Sequence, residues 1–217
     1  MADIKESRKV RIHTVYKNAE GERLPSVTTV LGILAKPALI DWAYNCGVNG
    51  IDYRKARDAA GDIGTLVHYL ILCDLKGEKP DLSGYSTESI DRAETCLIKY
   101  WDWQKAHKLI PMLCETPMVD CEHRFGGTPD WYGEIDGVLT LVDFKSGKGI
   151  YDESLYQLGA YVLLLVANNK PVPKEARILR IGRDDAEGYE EKVITEFGRY
   201  QQIFLSCLNI YNLRKEK

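Results

Sequence analysis

Two carboxylates and a lysine carry the most specific chemistry in this sequence. Asp143 and Lys145 stand two apart in Val142-Asp143-Phe144-Lys145, so on a β-strand they project from one face. Asp130, in Gly127-Thr-Pro-Asp130, lies 13 residues before Asp143, and the Asp136-Gly137 pair between them signals a hairpin of the primed type. Folding back there brings both carboxylates and the lysine to one end of a sheet. Hard carboxylate oxygens hold Mg²⁺, which takes few protein ligands and keeps waters. Such an ion activates water and neutralises charge on a scissile phosphate. A lysine adds a point positive charge beside the phosphate or the attacking water. A surface strand with an Asp–Lys pair and a loop Asp is the plainer alternative; Pro-Asp at this spacing across a hairpin favours the metal site.

Other residues fall into place around this set. His68, in Gly64-Thr-Leu-Val-His68, lies on an apolar helix, as either a buried hydrogen-bonded histidine or a metal ligand. Gln157 and Tyr161 are four apart and share a helix face. Glu115 is either the exposed face of a strand or a ligand to a second metal or its waters. Ser26 and Thr28, with Thr29, either cap a short helix or bind phosphate there. Arg54, Lys55 and Arg57 between the N-terminal helices, and Lys148 beyond the Asp-x-Lys strand, are candidate DNA contacts or a solvated face. Trp101 and Trp103 are either base-stacking or lobe-packing aromatics.

The elements that must position these residues follow from patterning. Residues 10–16 alternate as a strand, and Asn18-Ala-Glu-Gly21 is a turn. Ser26 caps a short helix over 27–34, another covers 38–45 and ends at Gly47, and a third covers 51–60. Asp62-Ile-Gly-Thr65 leads into a buried helix over 66–75, closing at Gly77. Ser86 or Thr87 starts a long helix to about His107, with apolar residues at Ile90, Ala93, Leu97 and Trp101. Strands are expected at 112–119, 122–132 and 138–144, the second bent or begun at Pro129. A helix over 152–168, strands at 177–182 and 189–194, and a closing helix over 197–213 complete the order. The fold class is α/β, a mixed central sheet flanked by helices with a helical N-terminal lobe.

Composition sets the outer bounds. The 217 residues suit one sizeable domain, with 45% hydrophobic and 28% charged residues, which excludes a disordered or fibrous chain. A net charge of −3 gives no global positive field for coating nucleic acid, but leaves room for a local basic groove. No apolar run is long enough to span a bilayer, and the polar first eleven residues do not read as a signal peptide. The six cysteines, at 46, 73, 96, 114, 121 and 207, include no CxxC pair, so reduced and mostly buried thiols are expected. Gly147-Lys148 lacks the rest of a P-loop, so no motor is expected on this chain.

The set Asp130, Asp143-x-Lys145, Gln157-Leu-Gly-Ala-Tyr161 and Gly64-x-x-x-His68 resembles the PD-(D/E)xK nuclease superfamily, and within it the RecB-like branch with its QxxxY and GxxxH motifs. Leu24-Pro-Ser-Val-Thr-Thr-Val-Leu31, followed by Trp42, is similar to the start of phage exonucleases and of the mitochondrial genome maintenance exonuclease family. The resemblance runs from about Leu24 to Tyr161. It implies a restriction-endonuclease-like core over about 109–217 and a helical lobe over about 25–108, in a single nuclease domain. It implies one or two Mg²⁺ or Mn²⁺ ions held by His68, Asp130, Asp143 and the Phe144 carbonyl, with Lys145 activating water, and Gln157 and Tyr161 orienting the substrate backbone. Glu115 matches an acidic position on the preceding strand. The C-terminal Cys triplet of the iron–sulfur members is absent, so no cluster is expected. The implied enzyme degrades DNA, with single-stranded ends favoured, in recombination, repair or replication. Duplex-end or flap cleavage and a catalytically quiet DNA-binding subunit are the alternatives. A recombination or replication partner and a cytoplasmic setting, in a bacterium or a phage-infected cell, follow from the same resemblance; a membrane partner does not.

Overall fold

The computed structural model describes residues 14–184 and 186–216. The expected strand at 10–16 lies largely outside them; within them β1 (Tyr16–Lys17) pairs antiparallel with β2 (Arg23–Leu24) across the turn that the sequence signals. Ser26 caps α1 (Val27–Leu31), its hydroxyl accepting from the Thr29 amide, and the helix is three residues shorter than its pattern suggests.

α2 (Pro37–Val48) runs through Gly47 and stops instead at Asn49-Gly50, where Gly50 takes a positive φ of 68°. The two helices expected over 51–75 are one, α3 (Tyr53–Lys76), capped by the Asp52 carboxylate and closed by Gly77 in the left-handed region. Gly61 and Gly64 each cost such a helix about 1 kcal/mol. Burial of Ile63, Leu66, Val67, Leu70 and Ile71 offsets that cost and keeps it continuous. α4 (Thr87–Lys105) starts at a Ser86 cap and packs along α3.

The strand pattern differs most from expectation in the middle of the chain. The stretch 112–119 is two strands, β3 (Leu109–Cys114) and β4 (Met118–Asp120), broken at Glu115 with φ 44°. The stretch 122–132 likewise divides into β5 (Phe125–Gly127) and the start of β6 (Trp131–Ile135). Pro117 and Pro129, which have no amide to donate to a ladder, sit at the two breaks. β4 and β5 pair as a separate hairpin, and β3, β6 and β7 (Val138–Lys145) form the antiparallel meander without them. Asp136 and Gly137 both take positive φ, 53° and 82°, as a primed turn requires.

After β7 the chain crosses through α5 (Asp152–Ala167) to β8 (Glu175–Ile181), which lies parallel to β7, and β9 (Tyr189–Ile194) returns antiparallel. α6 (Gly198–Leu213) closes the chain on α5. The result is a five-stranded mixed sheet, ordered β3-β6-β7-β8-β9, with helices on both faces.

Each face has its own core. One packs Leu141 and Ile178 under α1, α5 and α6, through residues such as Val30, Leu158, Leu164 and Phe204. The other packs Val142, Phe144 and Leu179 under α3 and α4, through Leu66, Ile71, Cys96 and Trp103. Trp103 is buried, with its indole N–H on Glu191, and Trp101 donates to Asp74, fastening α4 to α3. Both tryptophans therefore pack the fold. No helix among the described residues is long and apolar enough to cross a membrane.

Candidate active site

β7 sets the site. Its alternation sends Leu141, Asp143 and Lys145 to the α5 face, and Val142 and Phe144 to the α3 face. Asp143 is fully buried, and its carboxylate is paired with the ammonium of Lys145. The Lys145 ammonium stands 2.5 Å from its Oδ2. Burial pushes the Asp143 carboxyl up to about 6, against the pull of Lys145 and with the repulsion of Asp130.

Asp130, just before β6, reaches across the meander, and its Oδ2 accepts from the Phe144 amide at 2.7 Å. The Phe144 amide thus orients Asp130. Burial raises the Asp130 carboxyl, but His68, Lys145 and that amide together hold it below its ordinary value. The chain break at Glu115 is held by a bond from the Glu115 amide to the Asp130 carbonyl, 3.0 Å. This sets the two carboxylates side by side.

His68 comes from the opposite face of the sheet. α3 carries it past the sheet edge, its ring edge-on to Phe144 at 6.4 Å. Its Nδ1 is 3.4 Å from Asp130 Oδ1 and 3.6 Å from Glu115 Oε1. Burial disfavours the imidazolium, but the two carboxylates outweigh it and push His68 up to about 10. Burial is also the main reason the Glu115 carboxyl is raised.

From Lys145 a chain of hydrogen bonds leads onto α5. The ammonium donates to Gln157 Oε1 at 3.0 Å, and the Gln157 amide donates to the Tyr161 hydroxyl at 2.7 Å. Burial, with Asp143 and Asp130 nearby, holds the Tyr161 phenol protonated far above its ordinary range. Gly127 lets β5 come this close: a Cβ there would lie 2.9 Å from the Tyr161 ring and 2.8 Å from Leu164.

These groups line a cleft of about 150 Å³, with Tyr161, Asp130, Glu115 and His68 on one side and Tyr16, Ser26 and Thr28 on the other. Ser26 and Thr28 therefore reach the site. Tyr16 and Thr128, joined hydroxyl to hydroxyl at 2.7 Å, complete that wall and went unread in the sequence, where nothing in their local pattern marks them. Arg54 and Lys55 stand at the exposed start of α3. At 1.5 Å per residue they are roughly 20 Å from His68. Lys148 is exposed in the loop after β7.

His68, Glu115 and Asp130 offer three ligand atoms within 4.8 Å of one another, and this is the candidate metal group among the described residues. Glu115 thus stands with His68 and Asp130, while Asp143 lies beside them, facing Lys145. The donor set fits a hard divalent cation: oxygens predominate, one imidazole joins them, and Asp143, ion-paired to Lys145, adds a buried carboxylate beside them. The six cysteines are free, four of them buried, with Cys121 exposed.

No family profile matches the chain, and no curated protein does. Among solved structures, the chain is similar to LHK-Exo in complex with dAMP, at 11% identity and a TM-score of 0.40, over 68% of this chain and 76% of that one. It is similar to a protein of Eubacterium rectale provisionally assigned as an exonuclease, at 13% identity and a TM-score of 0.47, over 70% of this chain and 65% of that one. An alkaline exonuclease from Laribacter hongkongensis aligns at 13% identity and a TM-score of 0.34, over 69% and 82% of the two chains. At these identities and scores the likeness carries no argument, and the functional reading rests on the site itself.

Proposed function

We propose that the chain is a divalent-metal-dependent deoxyribonuclease that hydrolyses phosphodiester bonds from DNA ends, with single strands preferred. The observation that carries this is the convergence of the His68–Glu115–Asp130 group with the buried Asp143–Lys145 ion pair. The Lys145 ammonium pairs with Asp143, and Glu115 and Asp130 offer further oxygens that a hard divalent cation would take. A Mg²⁺ or Mn²⁺ ion bound there supplies charge neutralisation at the scissile phosphate and an acidified water.

The residues divide the remaining work. His68, Glu115, Asp130 and Asp143 hold the cation. Lys145, fixed between Asp143 and Gln157, places its ammonium where charge builds on the phosphate. Gln157 keeps Lys145 from folding onto Asp143 alone, and Tyr161, held protonated, donates rather than accepts toward the cleft. Ser26 and Thr28 present hydroxyls to the passing backbone from the opposite wall. Recombination, repair or replication of DNA is the setting this activity serves.

The test uses purified protein with Mg²⁺ or Mn²⁺ on end-labelled linear single strands, matched duplexes and circular single strands. Degradation of linear but not circular strands, lost on chelation and reduced by about 10²–10⁴-fold in Lys145→Ala, is the expected result. Undiminished cleavage by Lys145→Ala would overturn the role of the lysine. Metal-dependent stabilisation with no cleavage of any strand would leave a DNA-binding subunit.

A further inference from the structure

Three arginines follow one another along and beyond β8, and the third is unlike the other two. Arg177 meets Glu175 at 2.5 Å and Glu191 at 3.0 Å; Arg180 meets Glu187 at 3.2 Å and Glu190 at 3.0 Å. Arg183 has no carboxylate within 4.0 Å among the described residues. Its Nη2 donates to Ser146 Oγ at 3.0 Å, and its Nε is buried without a partner. Burial is the main cause that holds the Arg183 guanidinium below its usual value, and Arg92, on α4, adds a repulsive charge, against the pull of Cys96 and Glu187. A half-buried guanidinium in this state needs an anion.

Its position says which anion. Ser146 directly follows Lys145, and β8 runs parallel to β7, so Arg183 leaves the sheet at the same end as the site. The guanidinium also lies against Gly64: a Cβ there would stand 3.7 Å from Nη2 and 3.4 Å from Ser146 Oγ. Gly64 precedes His68 by one helical turn, a rise of about 6 Å. Arg183 therefore stands against the helical turn of α3 that precedes His68.

The turn that carries Arg183 is fixed before anything binds. The Cys96 thiol donates to the Gly182 carbonyl at 3.3 Å, and the Lys99 ammonium donates to the carbonyls of Gly182 and Asp184. A side chain at Gly182 would collide with Glu187 and the Gly188 carbonyl, so the turn is closed tightly. Little ordering remains when a ligand arrives.

We propose that Arg183, supported by Arg92, binds the phosphodiester that flanks the cleaved one on a nucleic-acid strand. This rests on the nuclease reading above. A guanidinium suits the site because it meets a phosphate with two parallel donors. Arg183 is a binding and positioning residue, outside the reacting atoms.

The test measures binding of a fluorescein-labelled oligothymidylate as a function of salt, in a Lys145→Ala background that prevents cleavage. Arg183→Ala is expected to weaken binding about tenfold at low salt and to lower the slope of log K against log salt by about 0.7, one single-strand phosphate. Arg183→Lys retains the slope. In the otherwise native enzyme, Arg183→Ala raises KM about tenfold with kcat little changed. Unchanged affinity and slope in Arg183→Ala, where the Lys145→Ala parent binds, would overturn the proposal and leave the nuclease reading standing. A loss of affinity with an unchanged slope would make Arg183 structural and would also overturn it. Thermal midpoints identify a variant that fails to fold, in which case Arg183→Gln takes its place. Failure of the native protein to bind or cut any strand would instead overturn the nuclease reading itself.

Discussion

The two faces of the central sheet start alike and end differently. Along β7 the α3 face carries Val142 and then Phe144, apolar to the end of the strand and sealed by α3 and α4. The α5 face carries Leu141, then Asp143, then Lys145, apolar first and ionic at the end. One face gains stability from every residue. The other gives up stability over its last turn to hold a carboxylate where water cannot solvate it. The same strand therefore separates folding from chemistry by parity alone: odd-numbered positions near its end serve the site and even-numbered ones serve the core.

Substitutions that exchange these roles test the contrast. The largest effect is expected from Asp143→Asn, with cleavage reduced by about 10³-fold or more, as for loss of a main transition-state contact. In chelator the same variant should outlast the native protein as pH rises. The Asp143 carboxyl titrates near 6 in the folded chain against an unfolded value of 3.8, so the native protein loses stability as pH climbs through that window. Asparagine has no such loss. Urea unfolding of both proteins at pH 4 and pH 7 checks this: a gap that fails to widen toward pH 7 would mean Asp143 is well solvated.

On the other face, Leu179→Ala should cost about 2–5 kcal/mol in stability and leave kcat per folded molecule unchanged. A fall in kcat at full folding would show that the two faces are coupled. A smaller response is expected from Glu115→Gln. The rise in thermal midpoint on adding Mn²⁺ should shrink as affinity falls, following RT ln(1 + [L]/Kd). An undiminished rise would remove Glu115 from the cation site. The smallest effect belongs to Arg54→Ala with Lys55→Ala, far out on α3. Cleavage within about twofold of native is expected, since exposed charges at that distance are screened. A large loss would mean that the strand runs the length of α3.

The regular parts of the molecule were legible in its sequence. Asp136-Gly137 fixes the hairpin and Asp143-x-Lys145 shares a face because strand periodicity is a local property. Gln157 and Tyr161 align because helix periodicity is equally local. What could not be read was where the chain leaves regular structure. A glutamate at φ 44° has no sequence signal, since glutamate takes that conformation only when its surroundings hold it there. The merging of two expected helices into α3 was hidden for a related reason: Gly61 and Gly64 argue locally for a break, and only tertiary burial overrules them. Arg183 was invisible because its distinction is the lack of a carboxylate partner among the described residues, and which arginines find partners is decided by strand pairing.

The neck at Glu115 and Asp130 has a consequence for how such a protein changes over time. The chain departs at one carboxylate, makes the β4–β5 hairpin, and returns at the other, with a single amide-to-carbonyl bond closing the gap. The hairpin in turn grips the opposite wall, through Gly126 on Pro25 and Thr128 on Tyr16. Residues 116–129 thus form a cassette clipped at its base. Its tip at residues 121–124 can drift without moving the two carboxylates that flank it, whereas Met118, Phe125 and Gly127, packed into the core under α5, cannot. Descendants of one such centre can in this way acquire different tips, with selection acting on each part separately.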